Sequence, residues 1–183
     1  MAKKFELTAE FVTNIFGKKL FRIKALMAFG DVKVGELGGY LEKEENLAHD
    51  GNAWVCGNAW VCGNAWVSGD AQVSGDAWVY GNAWVCGNAR VYGNAWVYGD
   101  ARVSSDLDYA IVGGFGSEQR TTTFFRQKDG TVGVRCGCFY GTLEEFRGKV
   151  KKTHKDSKYA KEYLMIADLM ELHFEHEEEK PCD

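Results

Sequence analysis

Proline is nearly missing from this sequence. The single Pro181 lies outside every patterned segment, so proline-rich linkers and proline-kinked helices are excluded from the body of the chain. Histidine is almost as scarce, with four residues at His49, His154, His173 and His176, and none of them falls in the regular part of the sequence. No apolar run reaches membrane-spanning length, and MAKKFELTAEF has no long apolar stretch of the kind a leader needs. The expectation is a protein of the cytosol with no membrane association. No Cys-x-x-Cys pair occurs, which removes the usual thiol-redox and zinc-ribbon signatures. A net charge of -4 is too mild to define a partner by charge alone.

What is present is a repeat. Nine consecutive six-residue units of the form Gly-(Asn/Asp)-Ala-x-Val-x run from Gly51 to Ser104. Within a unit Ala and Val lie two apart, which is strand alternation: they point one way and the x residues point the other. Gly followed by Asn or Asp supplies the residue types that tolerate left-handed backbone angles, so a corner falls between short strands. A strand and a corner every six residues, with no helix between, describe a parallel β-helix with three sides per coil. Such a unit buries its apolar face only by stacking on its neighbours.

This pattern resembles the hexapeptide-repeat, left-handed β-helix family, with Val55, Val61 and Val67 in the large inward slot and Ala53, Ala59 and Ala65 in the small one. The handedness is implied by that resemblance and not by the period. The expected organisation is an N-terminal cap over 1–32, a β-helix of about four coils over 33–104, and a small α+β domain over 105–183. In the cap, Thr8–Phe16 reads as a short helix and Lys18–Leu26 as a strand. Residues 33–50 read as a degenerate first coil, with Leu37 in a Val slot and Leu41 and Leu47 in Ala slots. That coil protects an otherwise open edge.

After Ser105 the period ends. Thr121–Gln127 and Thr131–Phe139 read as a hairpin turning at Lys-Asp-Gly. Thr142-Leu-Glu-Glu145 has the capping-box form and starts a helix burying Leu143, Phe146 and Val150. A second helix spans about Ser157 to His173 with Tyr159, Tyr163, Ile166, Ala167 and Met170 as its apolar stripe. Glu175–Asp183 reads as a charged, frayed tail.

Folding the repeat into coils sorts its outward residues by face. One face carries Trp60, Trp78 and Trp96 in a row, with Cys62, Tyr80 and Tyr98 beside it. A second carries Trp66, Trp84 and Arg102, and the third Trp54, Gln72 and Arg90. Coils about 4.8 Å apart bring same-row rings into stacking range. Such rows brace adjacent coils, or else form a contact surface, since Trp, Tyr and Arg dominate interface hot spots. Packing of coil faces into a homo-oligomer follows the same logic.

The remaining candidates are weaker. Cys56, Cys62 and Cys86 take outward positions and no two are eighteen apart, so unbridged thiols are expected. Val132, Val134, Cys136 and Cys138 alternate on one strand face and read as core. A Cys/His metal site using His154 or His173 has no spacing argument behind it, and no metal or cofactor is expected. Lys149, Lys151, Lys152, Lys155, Lys158 and Lys161 form a basic stretch that either complements a helix end or contacts phosphates or an acidic surface. Acyltransferases and zinc anhydrases of the hexapeptide-repeat family use histidines in or beside the coils, and their pockets are walled by inserted loops. Both are missing from this array, so an acyltransferase is a minor alternative.

Beyond the coils, GDVKVGELGGYLEKEENL, TTTFFRQKDG and CGCFYGTLEEF resemble small proteins carried by phages and prophages of gut Firmicutes. Anti-CRISPR inhibitors of the type II RNA-guided DNA nuclease are among them. The resemblance implies a non-enzymatic inhibitor that docks on a nuclease with its guide RNA in the host cytosol. The alternative is a nucleotide- or glycan-binding protein, a sponge that uses the aromatic faces.

Overall fold

The structure, a computed structural model, describes residues 3–175. Strands β1 (Phe5–Thr13) and β2 (Lys19–Ala25) form an antiparallel hairpin, and β3 (Leu37–Leu41) pairs antiparallel with β2. Nine two-residue strands follow: β4 (Trp54–Val55), β5 (Trp60–Val61), β6 (Trp66–Val67), β7 (Gln72–Val73), β8 (Trp78–Val79), β9 (Trp84–Val85), β10 (Arg90–Val91), β11 (Trp96–Val97) and β12 (Arg102–Val103). Each pairs in parallel with the strand one coil on, giving three faces, β5-β8-β11, β4-β7-β10 and β6-β9-β12. A β-solenoid of about four coils results.

The unit formula explains the stack. Every inward Ala and Val from Ala53 to Val103 is buried, leaving a core of two residue types repeated along the axis. Corner glycines all take positive φ, as at Gly69 (+68°), where a Cβ would lie 3.1 Å from the backbone nitrogen of Gly87 in the next coil. Gly is thus required twice over, by conformation and by close approach. At the corners the Asn and Asp side chains form ladders, Asn52 donating to Asp70 (2.7 Å) and Asn64 to Asn82 (3.2 Å).

Both ends of the solenoid would present unpaired backbone groups, which β-proteins must cover. Backbone amides of Tyr40, Glu42 and Ala48 cover the carbonyls of Ala59, Val61 and Val67 at the N-terminal end, and side chains complete both seals. At the N-terminal end Lys4 Nζ donates to the carbonyls of Ala53 (2.9 Å) and Asp50 (3.2 Å), and Asn46 Nδ2 donates to those of Ala65 (2.8 Å) and Gly63 (3.2 Å). The Glu42 carboxylate accepts from the Gly63 amide (2.7 Å). At the other end the amides of Arg90 and Trp96 donate to Asp106 (2.7 Å) and Thr123 Oγ1 (2.9 Å).

The C-terminal region is a four-stranded antiparallel sheet, β13 (Tyr109–Val112), β14 (Thr122–Arg126), β15 (Val132–Cys136) and β16 (Phe139–Thr142), followed by α1 (Leu143–His154) and α2 (Lys158–Phe174). The expected hairpin is its central pair. Alternation on β14 splits the labour: Phe125 packs into the solenoid core, and Phe124 packs with Phe146, Tyr163 and Met170 of the helices. Thr142 caps α1 with Glu145 returning the bond, the anticipated capping box.

Four expectations need correction. Thr8–Phe16 is strand and turn, not helix. A bulge between Leu7 and Phe11 places extra residues on β1 and disturbs the period-two pattern that would have marked a strand. Leu41 and Leu47 occupy Val slots, opposite Val61 and Val67, while Leu37 is half exposed and pairs with Lys24. The two extra residues fall after Leu47 (opposite Val67) and before Trp54 (opposite Gln72), in the bend at 49–52, where the spacing returns to eighteen. On α2 Tyr159 is exposed, and Ala160 and Phe174 complete the buried stripe. Cys138 is exposed, because Gly137 (φ +57°) turns the chain after Cys136 and ends the strand; only Cys136 packs against the helix core. Of the expected frayed tail, residues 176–183 lie outside the described residues.

Candidate functional site

The Trp row forms as the coil register requires. Trp60 and Trp78 stack at 4.5 Å between ring centroids and 16° between planes, and Trp78 and Trp96 at 4.7 Å and 2°. Beside it runs a second ladder, in which Phe16 stacks on Tyr80 (5.7 Å) and Tyr80 on Tyr98 (5.1 Å). The ends of the Trp ladder are occupied as well. Tyr40 lies opposite Trp60 in register, and the Arg135 guanidinium sits 4.9 Å from the Trp96 centroid. Most ring faces are therefore turned toward one another. What the ladders present outward is chiefly ring edges, which carry the positive end of the aromatic quadrupole.

The two caps convert this face into a groove. At one end the β1–β2 hairpin tip brings Asn14, Ile15 and Phe16 over the ladders, and at the other β15 and β16 bring Arg135, Cys138 and Tyr140. The space enclosed is about 340 Å³. The tip is held by Asn14 Oδ1, which accepts from the amides of Phe16 and Lys18 (both 3.0 Å). It holds two large apolar side chains toward water, Ile15 at 77% and Phe16 at 61% exposure, an uncommon arrangement unless something covers them. At the far end Tyr140 packs edge-on against Tyr98 (4.6 Å) and its hydroxyl bonds to Gln127 (3.2 Å).

Cys62 lies at the base of the groove beneath Leu20 and Tyr40. Burial, helped by the nearby Glu42 carboxylate, pushes its thiol up to about 12, and the protonated side chain packs as an apolar group. His49 accepts from the Lys4 amide and pairs with Glu44 (2.8 Å), away from the groove. Among the described residues no cluster of His, Cys, Asp or Glu is arranged to hold a metal ion.

The other sequence candidates fall elsewhere. Trp66 and Trp84 are exposed on the β6-β9-β12 face, edge to face at 5.6 Å, and Arg102 lies 4.4 Å over Trp84 while donating to the carbonyls of Asn82 (3.0 Å) and Ala101 (2.8 Å). Lys149, Lys151, Lys152, Lys155, Lys158 and Lys161 are all exposed on α1, α2 and their connection, and among the described residues only Lys158 has an acidic partner, Glu162 at 3.4 Å. None of the six lines the groove. The residues missed are the walls: Asn14, Ile15, Phe16, Arg135, Cys138 and Tyr140. The Asn-Ile-Phe-Gly order at 14–17 is a turn signal carrying two apolar residues, legible once the preceding segment is a strand.

Fold and groove together define a capped β-solenoid with an aromatic cleft along one face. The family described as YdcK beta solenoid repeat matches residues 71–87, 83–99 and 89–106, so the chain is similar to that family over its coils. No curated protein matches the sequence. No helix among the described residues is long and apolar enough to cross a membrane.

Proposed function

We propose that the protein captures a ligand and does not transform it, with the aromatic groove as the capture site. The observation that carries this reading is the Trp60–Trp78–Trp96 ladder forming the floor of a cleft flanked at both ends by the caps. A floor held rigid by backbone pairing loses little freedom on binding, which favours affinity. Because ladder faces are already stacked, the ligand lies along ring edges and does not intercalate. Trp78 is the central rung, and its replacement by Leu is expected to weaken binding at least tenfold while the solenoid stays folded. Titration of intrinsic Trp fluorescence with nucleotide, glycan and aryl-acid panels measures this. No saturable response to any panel, or equal affinity in W78L, would sink the reading.

A second reading rests on the six exposed lysines of α1 and α2. They suit an anionic partner, and with the whole-chain resemblance they support docking on a type II RNA-guided nuclease and its guide. DNA cleavage by guide-loaded nuclease is then inhibited by the protein and restored when Lys151, Lys155 and Lys158 are changed to Glu. Unaltered cleavage at excess protein across several orthologues would remove this proposal.

A further inference from the structure

The aromatic groove does not stop at Arg135. A second cavity of about 390 Å³ adjoins it, lined by Asn94, Arg120, Thr121 and Gly137 and sharing Trp96 and Arg135 with the first. No carboxylate lines this second space. Arg135 donates one bond, to the carbonyl of Phe139 (3.2 Å), and among the described residues it forms no ion pair. Its planar group is held against Trp96 instead, leaving further donors of the guanidinium unused. Arg120 pairs with Glu118 only at 3.3 Å and through a bridge in which both side chains are more than half exposed. The positive-φ Gly137 gives Arg120 its place, since a Cβ there would lie 2.6 Å from Nη1.

We propose that the groove binds a small molecule with an apolar body and one terminal anionic group, a carboxylate or a phosphate. The body lies on the Trp and Tyr ladders, and the anion sits between Arg120 and Arg135. This rests on the groove being a capture site, and it adds the chemical class of what is captured. Three features converge on it. Each cavity falls in the size range of small-molecule sites. The two guanidiniums offer charge-assisted bonds in the forked geometry that carboxylates and phosphates accept. The ladder edges are electropositive and favour an electron-rich aromatic body over a cationic one.

The test uses the full chain and three probes that share one ring system: 2-naphthoate, 2-naphthyl phosphate and neutral 2-naphthamide, each titrated by calorimetry. The anions are expected to bind about tenfold or more tightly than the amide, in line with charge-assisted hydrogen bonding. The two anionic arms tell a carboxylate site from a phosphate site. Arg135→Gln and Arg120→Gln should each erase most of the preference, read as the ratio of naphthoate to naphthamide affinity within the same variant, and Arg135→Lys should keep part of it. Bound anion should also slow alkylation of the exposed Cys138, read by peptide mass spectrometry. Equal affinity for naphthoate and naphthamide overturns the anion site while leaving the groove reading intact. Binding that neither protects Cys138 nor responds to the arginine variants overturns it too. Failure of all three probes, together with silence from the broader panels, removes the groove reading itself.

Discussion

Lys4 places an ammonium where a coil of backbone would otherwise sit. It is buried, donates to the carbonyls of Ala53, Asp50 and Gly51, and lies 4.7 Å over the Phe29 ring. Burial lowers its pKa to about 8, against an opposing pull from Asp50. The folded value lies below the unfolded one of about 10.4. Carrying the cation therefore costs stability at every pH below about 8, and the cost is relieved as pH rises toward 10. Urea midpoints should rise from pH 7.5 to 9.5 in the native protein and stay flat in Lys4→Met. At pH 7 that variant is expected to be less stable by about 1–3 kcal/mol, because the three carbonyls lose their donor. At the far end Asp108 is the counterpart. Burial alone would raise its carboxyl, but bonds from Ser104 and Ser105 and the facing Arg126 bring it below the usual range. Its contribution is present above the unfolded pKa and lost in acid.

At the scale of elements, the coils and the caps differ in how their sequences encode them. The nine units were readable because each repeats one solution, inward Ala and Val, glycine at the corner. The three faces and their aromatic rows followed from counting. The first coil was not readable by counting, because two extra residues between Leu47 and Trp54 shift its phase, while Asn46 and Glu42 bond the backbone at Gly63 and Ala65. Asn46 is wholly buried, and its replacement by Ala leaves two carbonyls without a donor. A loss of about 2–3 kcal/mol is expected, measured as a lower urea midpoint at unchanged slope. The groove was half legible for a related reason. Its floor belongs to the period, but its walls belong to the hairpin tips at Asn14–Phe16 and Cys136–Phe139. Their positions depend on how the caps sit on the coils, which no local pattern records. A bulge hid the first tip, and a two-residue turn led by Gly137 moved Cys138 from the anticipated core to the cleft.

For the whole molecule, the C-terminal sheet is both lid and wall. Asp106 and Thr123 close the last coil, Tyr109 bonds the Arg90 carbonyl (2.6 Å), and Phe125 enters the solenoid core. Removing residues 105–183 exposes the edges of β10, β11 and β12 together. The shortened chain is expected to associate end to end, eluting ahead of its monomer position in gel filtration and broadening with concentration. A sharp monomer peak would show that the edge is protected without the sheet. The same removal takes away Arg135, Cys138 and Tyr140, so any ligand response of the Trp ladder should disappear with it.

The seals at the two ends of the solenoid engage the coils nearest to them, Phe16 of the N-terminal cap reaching Tyr80 in the second coil and Thr123 of the C-terminal sheet bonding the last. Neither cap is built to sense how many coils lie between. Duplicating residues 69–86 in frame would insert one more rung into each aromatic ladder and move the caps apart by about 4.8 Å. Both seals would be kept. On the proposed capture reading, unequal crossing-over within the repeat would lengthen the groove by one rung per added coil while both seals stay in place.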